Sequence, residues 1–132
     1  MIVLDASAAI DYLIEQRPYA EWVREHVARE ADFAAPHLID LEVTSGLRRA
    51  VARSDLSERR ARAALGDFAE FALGRYPLTQ LLSRIWALRS SLTPYDAAYV
   101  VLSEALDAPL LTTDARLARS HGHRAEILAP SG

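Results

Sequence analysis

Ile2-Val3-Leu4-Asp5-Ala6-Ser7-Ala8 is the stretch on which the fold turns. A short run of branched apolar residues without polar alternation is the pattern of a strand buried on both faces, as in a parallel sheet covered by helices. Asp5 follows that strand at once, and Ser7 is placed to cap a helix over about 8–15. The same order returns near the other end of the chain. There Leu110-Leu111-Thr112 reads as a strand, and Asp114 opens a short helix to about Ser120. Between them, Pro18 suits the first turn of a helix over 18–30, with Tyr19, Trp22, Val23, His26 and Val27 at helical spacing. Phe33-Ala34-Ala35 predicts a short strand, and Pro36 opens a helix to about Arg53. Ser57 starts another through Leu73, with Gly74 as its stop. Residues 76–78 predict a short strand, 79–90 and 94–106 two helices, and 126–128 a last strand. Short apolar strands alternating with amphipathic helices imply an α/β fold around a parallel sheet. In such sheets ligands bind beyond the carboxyl ends of the strands. Polar residues just after strands or at helix starts are therefore the ones to weigh.

The 132 residues predict one domain spanning 1–132, large enough to bury a core without staples. Cysteine is absent, which excludes disulfides, zinc–thiolate sites and thiol nucleophiles. All 15 basic residues are arginine. Without lysine there is no P-loop, Schiff base or Ser-Lys chemistry. No apolar run approaches a membrane span, and the start carries an acid and no basic segment, unlike a signal peptide; a cytoplasmic location is the expectation.

Four acids stand where a site would form. Asp5 and Asp114 follow strands; if both strands are central and parallel, their carboxylates emerge at one edge. Asp96 is the third residue of a helix that Thr93 would cap, and Glu42 lies early in the third helix, which carries Leu38, Leu41, Val43 and Leu47 inward. Carboxylates gathered without histidine or cysteine make a hard oxygen site suited to Mg²⁺ or Mn²⁺. Such a site suits phosphodiester hydrolysis, with water as the nucleophile and 5′-phosphate and 3′-hydroxyl products. Each acid also has a plain structural reading. Asp5 and Asp114 can be helix caps, Asp96 part of a capping box, and Glu42 an exposed helix acid.

At these residues the chain resembles a PIN-domain ribonuclease of the VapC type, the toxin of bacterial type II toxin–antitoxin pairs. The resemblance spans nearly the whole chain. Ile2 to Ala8 resembles the family's strand followed by Asp-x-Ser/Thr, although Ala6 stands where threonine is frequent. Glu42 with Leu47 resembles the mid-chain Glu motif. Thr93-Pro94-Tyr95-Asp96-Ala97 resembles the third acidic motif, and Leu111-Thr112-Thr113-Asp114 through Ala118 the closing strand–Thr-x-Asp–helix motif. The resemblance implies a three-layer α/β/α fold with a central parallel sheet of about five strands. It implies that Asp5, Glu42, Asp96 and Asp114 bind Mg²⁺ (or Mn²⁺) and are catalytic, with the Ser7 and Thr112 hydroxyls orienting acids or water. It further implies endonucleolytic cleavage of RNA such as tRNA or rRNA, a homodimer, and neutralisation by a cognate VapB-type antitoxin in a hetero-oligomer.

The net charge of −3 and pI near 5.8 lack the basic footprint usual for nucleic-acid binding. The arginines are clustered, however. Arg48, Arg49, Arg53, Arg59, Arg60 and Arg62 follow Glu42 closely and are candidates for holding RNA phosphates, the alternative being a solvated helix face. His121-Gly122-His123 reads as a helix end rather than a metal motif. Tyr12, Trp22, Tyr95 and Tyr99 are core or base-stacking candidates. Phe68, Phe71, Leu65 and Leu73 form an apolar stripe on the fourth helix. Two rival readings stand beside the nuclease. An aspartyl phosphotransferase on Asp5 is opposed by Ser7 at the second acidic position and by the missing lysine. A non-catalytic RNA- or protein-binding module would follow if the acids were only caps.

Overall fold

A computed structural model describes residues 1–131 of the protein. Its centre is β1 (Ile2–Leu4), whose three side chains are all buried. β1 lies between β2 (Phe33–Pro36) and β4 (Leu110–Leu111), with β3 (Gly74–Tyr76) beyond β2 and β5 (Ile127–Leu128) beyond β4. All neighbouring strands are parallel, and the order is β3-β2-β1-β4-β5. Strands this short cannot hold together as a ribbon in water. They are stable because helices cover both faces and remove their apolar side chains from solvent.

One helical layer gathers around α1 (Ala6–Leu13), which packs against α2 (Ala20–Arg29), α3 (Leu38–Ala52) and α4 (Glu58–Glu70). The other is formed by α6 (Pro94–Leu106), which lies on β1, β2 and β4 and carries α5 (Leu82–Ala87) on its outer side. The short α7 (Ala115–Ala118) follows β4. The result is the three-layer α/β/α arrangement with five parallel strands that the resemblance implied. Residues 97–103 of α6 are buried all round, which explains why this helix lacks a clean amphipathic stripe.

Several element boundaries differ from the sequence reading, each for a local reason. Asp5, not Ser7, caps α1: its carboxylate accepts from the Ala8 N–H at 2.9 Å, so the helix starts at Ala6. Pro18 precedes α2 in a turn. Pro36 ends β2 instead of opening α3, because its position on the strand needs no N–H and its fixed φ suits an extended chain. Gly74 is no helix stop; it begins β3, where a Cβ would sit 3.4 Å from the Phe33 carbonyl oxygen. The segment over 79–90 divides into a 3-10 turn, Thr79–Leu81, and α5. On α3, Leu41 turns outward and is 73% exposed, while Val43 and Leu47 are buried. Phe68 is the buried member of the α4 stripe and Leu65 faces out.

Two devices fix the layers. Glu104 on α6, its side chain almost wholly covered, accepts a bidentate pair from Arg84 of α5 at 2.9 and 3.0 Å, and the Arg124 N–H at 3.0 Å. That pairing pulls its carboxyl down to about 2. On the other face, Gly46 lets α3 approach α1 so closely that any side chain at 46 would collide with the tip of Ile10.

Leu111 is fully buried between the layers at the register point opposite Leu4. Leu111→Ala should therefore cost about 2–5 kcal/mol in urea unfolding, with an unchanged denaturant slope.

Candidate active site

The chain order places a crevice before any side chain is considered. From β1 the chain steps to β2 and β3 on one side, then crosses to β4 and β5 on the other. Such a reversal leaves the connections leaving the carboxyl ends of β1 and β4 to diverge, and a crevice opens between them. The register Leu4↔Leu111 makes Asp5 and Thr112 the next opposed pair, at the floor of that crevice.

There the two strands are joined by side chains. Thr112 Oγ1 donates to Asp5 Oδ2, Ser7 Oγ donates to Asp5 Oδ1 at 2.8 Å, and the two hydroxyls lie 3.2 Å apart. The Asp114 N–H donates to Thr112 Oγ1 at 3.0 Å, and the Thr113 N–H to Ser7 Oγ at 3.2 Å. Ser7 and Thr112 thus hold Asp5 and the start of the Asp114 loop in one network. Asp5 is 4% exposed, and burial raises its carboxyl to about 6 despite the hydrogen bonds from Thr112, Ala8 and Ser7 that favour the charged form.

A cleft of about 600 Å³ opens over this floor. Asp5, Glu42, Asp96 and Asp114 all line it, although they come from four separate segments. Glu42 is held by the Tyr99 hydroxyl, which donates to its Oε1 at 2.6 Å. Burial, and then the Asp96 charge, raise the Glu42 carboxyl, while Tyr99 and Arg49 oppose the shift. Asp96 is likewise raised by burial and by Asp114, against the pull of Arg116. Asp114 caps α7, its Oδ1 accepting from the Arg116 N–H at 2.9 Å. Arg116 Nη2 lies between Asp96 Oδ2, at 3.5 Å, and Asp114 Oδ2, at 3.4 Å.

The donor set is all carboxylate oxygen, which fits a hard divalent cation. Among the described residues, however, no three acidic or histidine side chains close into a ready-made metal cage. Asp5 is engaged by its hydroxyl partners, Glu42 by Tyr99, and Asp96 and Asp114 share Arg116.

The arginine cluster divides. Arg49 and Arg53 line the cleft; Arg48, Arg59, Arg60 and Arg62 do not. Arg60 Nη2 reaches the Ile14 carbonyl at 3.3 Å, and Arg62 pairs with Glu58 along α4. His121 and His123 are not gathered with the acids: His123 binds Ser120 at 2.9 Å, and Gly122 takes the turn at a φ of +86°. Two cleft residues, Asp11 and Arg116, escaped the sequence reading of the site, and a third, Tyr99, reads there only as a core or base-stacking candidate. Asp11 lines the cleft, half-buried and raised by burial, with a hydrogen bond from the Thr113 side chain. It lies one helical turn after Ser7, a spacing that puts both on one face. Tyr99 stands three residues after Asp96, a comparable signal, and its phenol is pushed well above its usual range by burial and the Glu42 contact. Arg116 follows Asp114 by two residues, a spacing with no helical meaning.

A family model described as "PIN domain" matches residues 2–121. Ribonuclease VapC1 of Mycobacterium tuberculosis is 44% identical over 126 residues, 95% of this chain and 94% of that protein. Among solved structures, VapC20 of Mycobacterium tuberculosis, described as a sarcin-ricin loop cleaving toxin, superposes with a TM-score of 0.71 at 13% identity, covering 89% of this chain and 93% of the other. VapBC2 from Rickettsia felis, bound to a DNA fragment from its promoter, gives a TM-score of 0.70 at 13% identity, with 99% and 100% covered. At such identities the two structures speak for the fold alone.

The raised Asp5 sets a pH dependence. An acid whose pKa is higher folded than unfolded costs nothing below its unfolded value of 3.8, costs progressively more stability as pH rises from there to its folded value of about 6, and carries the full cost above it. Asp5→Asn in EDTA should therefore be more stable than wild type at pH 7.5 by up to about 3 kcal/mol, with the gap closing as pH falls through 6 toward 4. Paired thermal melts across that range check it; a constant gap would show that burial of the Asp5 charge is not its cause.

Proposed function

Because the chain belongs to the PIN-domain family, among its VapC-type ribonuclease toxins, we propose that it is a divalent-metal-dependent endoribonuclease whose catalytic acids are Asp5, Glu42, Asp96 and Asp114. The observation that carries this reading is that all four acids line one cleft at the carboxyl ends of β1 and β4. Mg²⁺ or Mn²⁺ bound among them would supply Lewis acidity toward a phosphate ester and a water of lowered pKa.

The protein's own groups have distinct tasks. Thr112, Ser7 and the Ala8 N–H fix the Asp5 carboxylate and leave it little freedom to rotate. Tyr99 aims Glu42 from the buried side of α6. Burial first, and then the charge of a neighbouring acid, raise the carboxyls of Asp5, Glu42 and Asp96, and a cation bound among them would offset both costs. Arg116 offsets part of that charge. Arg49 and Arg53 stand in the wall formed by α3 and can hold phosphates of the strand beside the reacting one. The substrate is RNA of the translation machinery, tRNA or rRNA. A VapB-type antitoxin is the partner, in a homodimer-based hetero-oligomer. The family match and the 44% identity to ribonuclease VapC1 of Mycobacterium tuberculosis give this reading its support. Among the described residues no helix is long and apolar enough to cross a membrane.

Expression of the wild type should release RNA fragments with 5′-phosphate and 3′-hydroxyl ends, mapped by sequencing RNA ends after a short pulse. Asp96→Asn and Asp114→Asn should each lower the cleavage rate roughly 10²–10³-fold, the scale on which a group stabilising developing charge is missed. Arg49→Ala with Arg53→Ala should instead raise KM with kcat nearly kept, as loss of uniform binding does. Full activity in Asp96→Asn would remove that acid from the mechanism.

A further inference from the structure

Next to the acidic cleft lies a second depression of about 480 Å³, walled by the segment before α6 and by α7 with the turn after it. The two share Asp96 and Arg116, so the Asp96–Arg116 ion pair forms a common wall between them. Their charges are opposite. The second depression is lined by Arg116, Arg119 and His121 together with the hydroxyls of Ser90 and Ser91, and its one acid is the shared Asp96. Arg119 has no side-chain hydrogen bond or ion pair among the described residues, and neither does His121. Both stand largely in solvent.

We propose that this second cleft binds the phosphate backbone of the single RNA strand on the far side of the scissile bond from Arg49 and Arg53. The inference rests on the ribonuclease reading and extends it to the path of the substrate. A strand whose reacting phosphate lies over the acids must leave the site in two directions. One direction runs along the wall of α1 and α3, where Arg49 and Arg53 stand. The other runs past Asp96 and Arg116, and the second cleft is what it meets there. Guanidinium groups suit phosphate because their planar fork of donors matches two of its oxygens. The Ser90 hydroxyl adds a donor without sequence preference, whereas that of Ser91 already donates to the Leu88 carbonyl. Arg119 gives up no existing ion pair on taking a phosphate, so its pairing carries no exchange cost. Arg116 stands at the junction, its guanidinium already held by Asp96 and Asp114, and marks where the acidic floor ends and the phosphate track begins. An acidic protein segment would meet the same charges, but nothing would then relate the cleft to its shared wall with the acids.

The test is binding of a short unstructured RNA in EDTA, read by fluorescence anisotropy over a range of salt. The doubly substituted Arg119→Ala, His121→Ala protein should bind roughly tenfold more weakly than wild type. The slope of log affinity against log salt should become shallower by about 0.7 for each phosphate of the single strand that is no longer neutralised. Arg119→Lys should recover most of that slope. Arg29→Ala on α2, an exposed arginine that lines neither cleft, should leave affinity and slope unchanged. Equal affinity and slope in the Arg119, His121 variant would overturn the proposal, even if wild type cleaves RNA with Mn²⁺. Loss of antitoxin binding with RNA binding intact would overturn it too, assigning the cleft to protein recognition. Failure of the ribonuclease reading looks different: wild type would cleave no RNA with Mn²⁺, while the binding difference persisted.

Discussion

The floor of the cleft depends on one buried contact, the Thr112 hydroxyl donating to the Asp5 carboxylate across β1 and β4. Backbone pairing between these strands is brief, with Val3 and Leu4 opposite Leu110 and Leu111. The side chains carry the junction one residue further, into the region where the chain stops being a sheet. A carboxylate there is costly to bury, and its three donors offset only part of the cost. The same residue caps α1, so the start of that helix, the edge of the central strand and the floor of the cleft are one object. The cap uses Oδ1, and it holds the group still.

The fold was legible because its signals are local and redundant. Unalternated apolar triplets followed by acids can hardly be read as anything but buried parallel strands meeting helices. The capping residues Ser57 and Thr93 stand where their place before an amphipathic run predicts. The boundaries that slipped are those where one residue serves two elements. Pro36 is acceptable both at a strand end and at a helix start, and only its pairing with Tyr76 decides. Gly74 reads as a stop for α4, yet the close approach of the Phe33 carbonyl claims it for the sheet. Leu41 is apolar but turned to solvent, which hydrophobicity alone never reveals.

The four acids were legible as a set because two follow strands, two lie near helix starts, and the family resemblance joins them; the topology brings such positions to one edge. What no spacing disclosed is how they are restrained. The Tyr99 contact spans 57 residues of sequence, and the Thr112 contact 107. Arg116 bridges two acids from different helices, a relation that exists only after folding. The division of the arginines is also tertiary. Arg49 and Arg48 are neighbours in sequence, but helical geometry sends one into the cleft and the other away.

Gly46 gives the architecture a point of adjustment. The atom that a side chain there would strike is the far end of Ile10, and Ile10 also lines the cleft. A flexible side chain yields easily, so enlarging position 46 would shift the Ile10 tip more readily than it would part α1 from α3. The aperture over the acids is thus coupled to a helix crossing in its own wall, for Gly46 lines the cleft as well. A change at this single crossing would widen or narrow the mouth while leaving every acid in place.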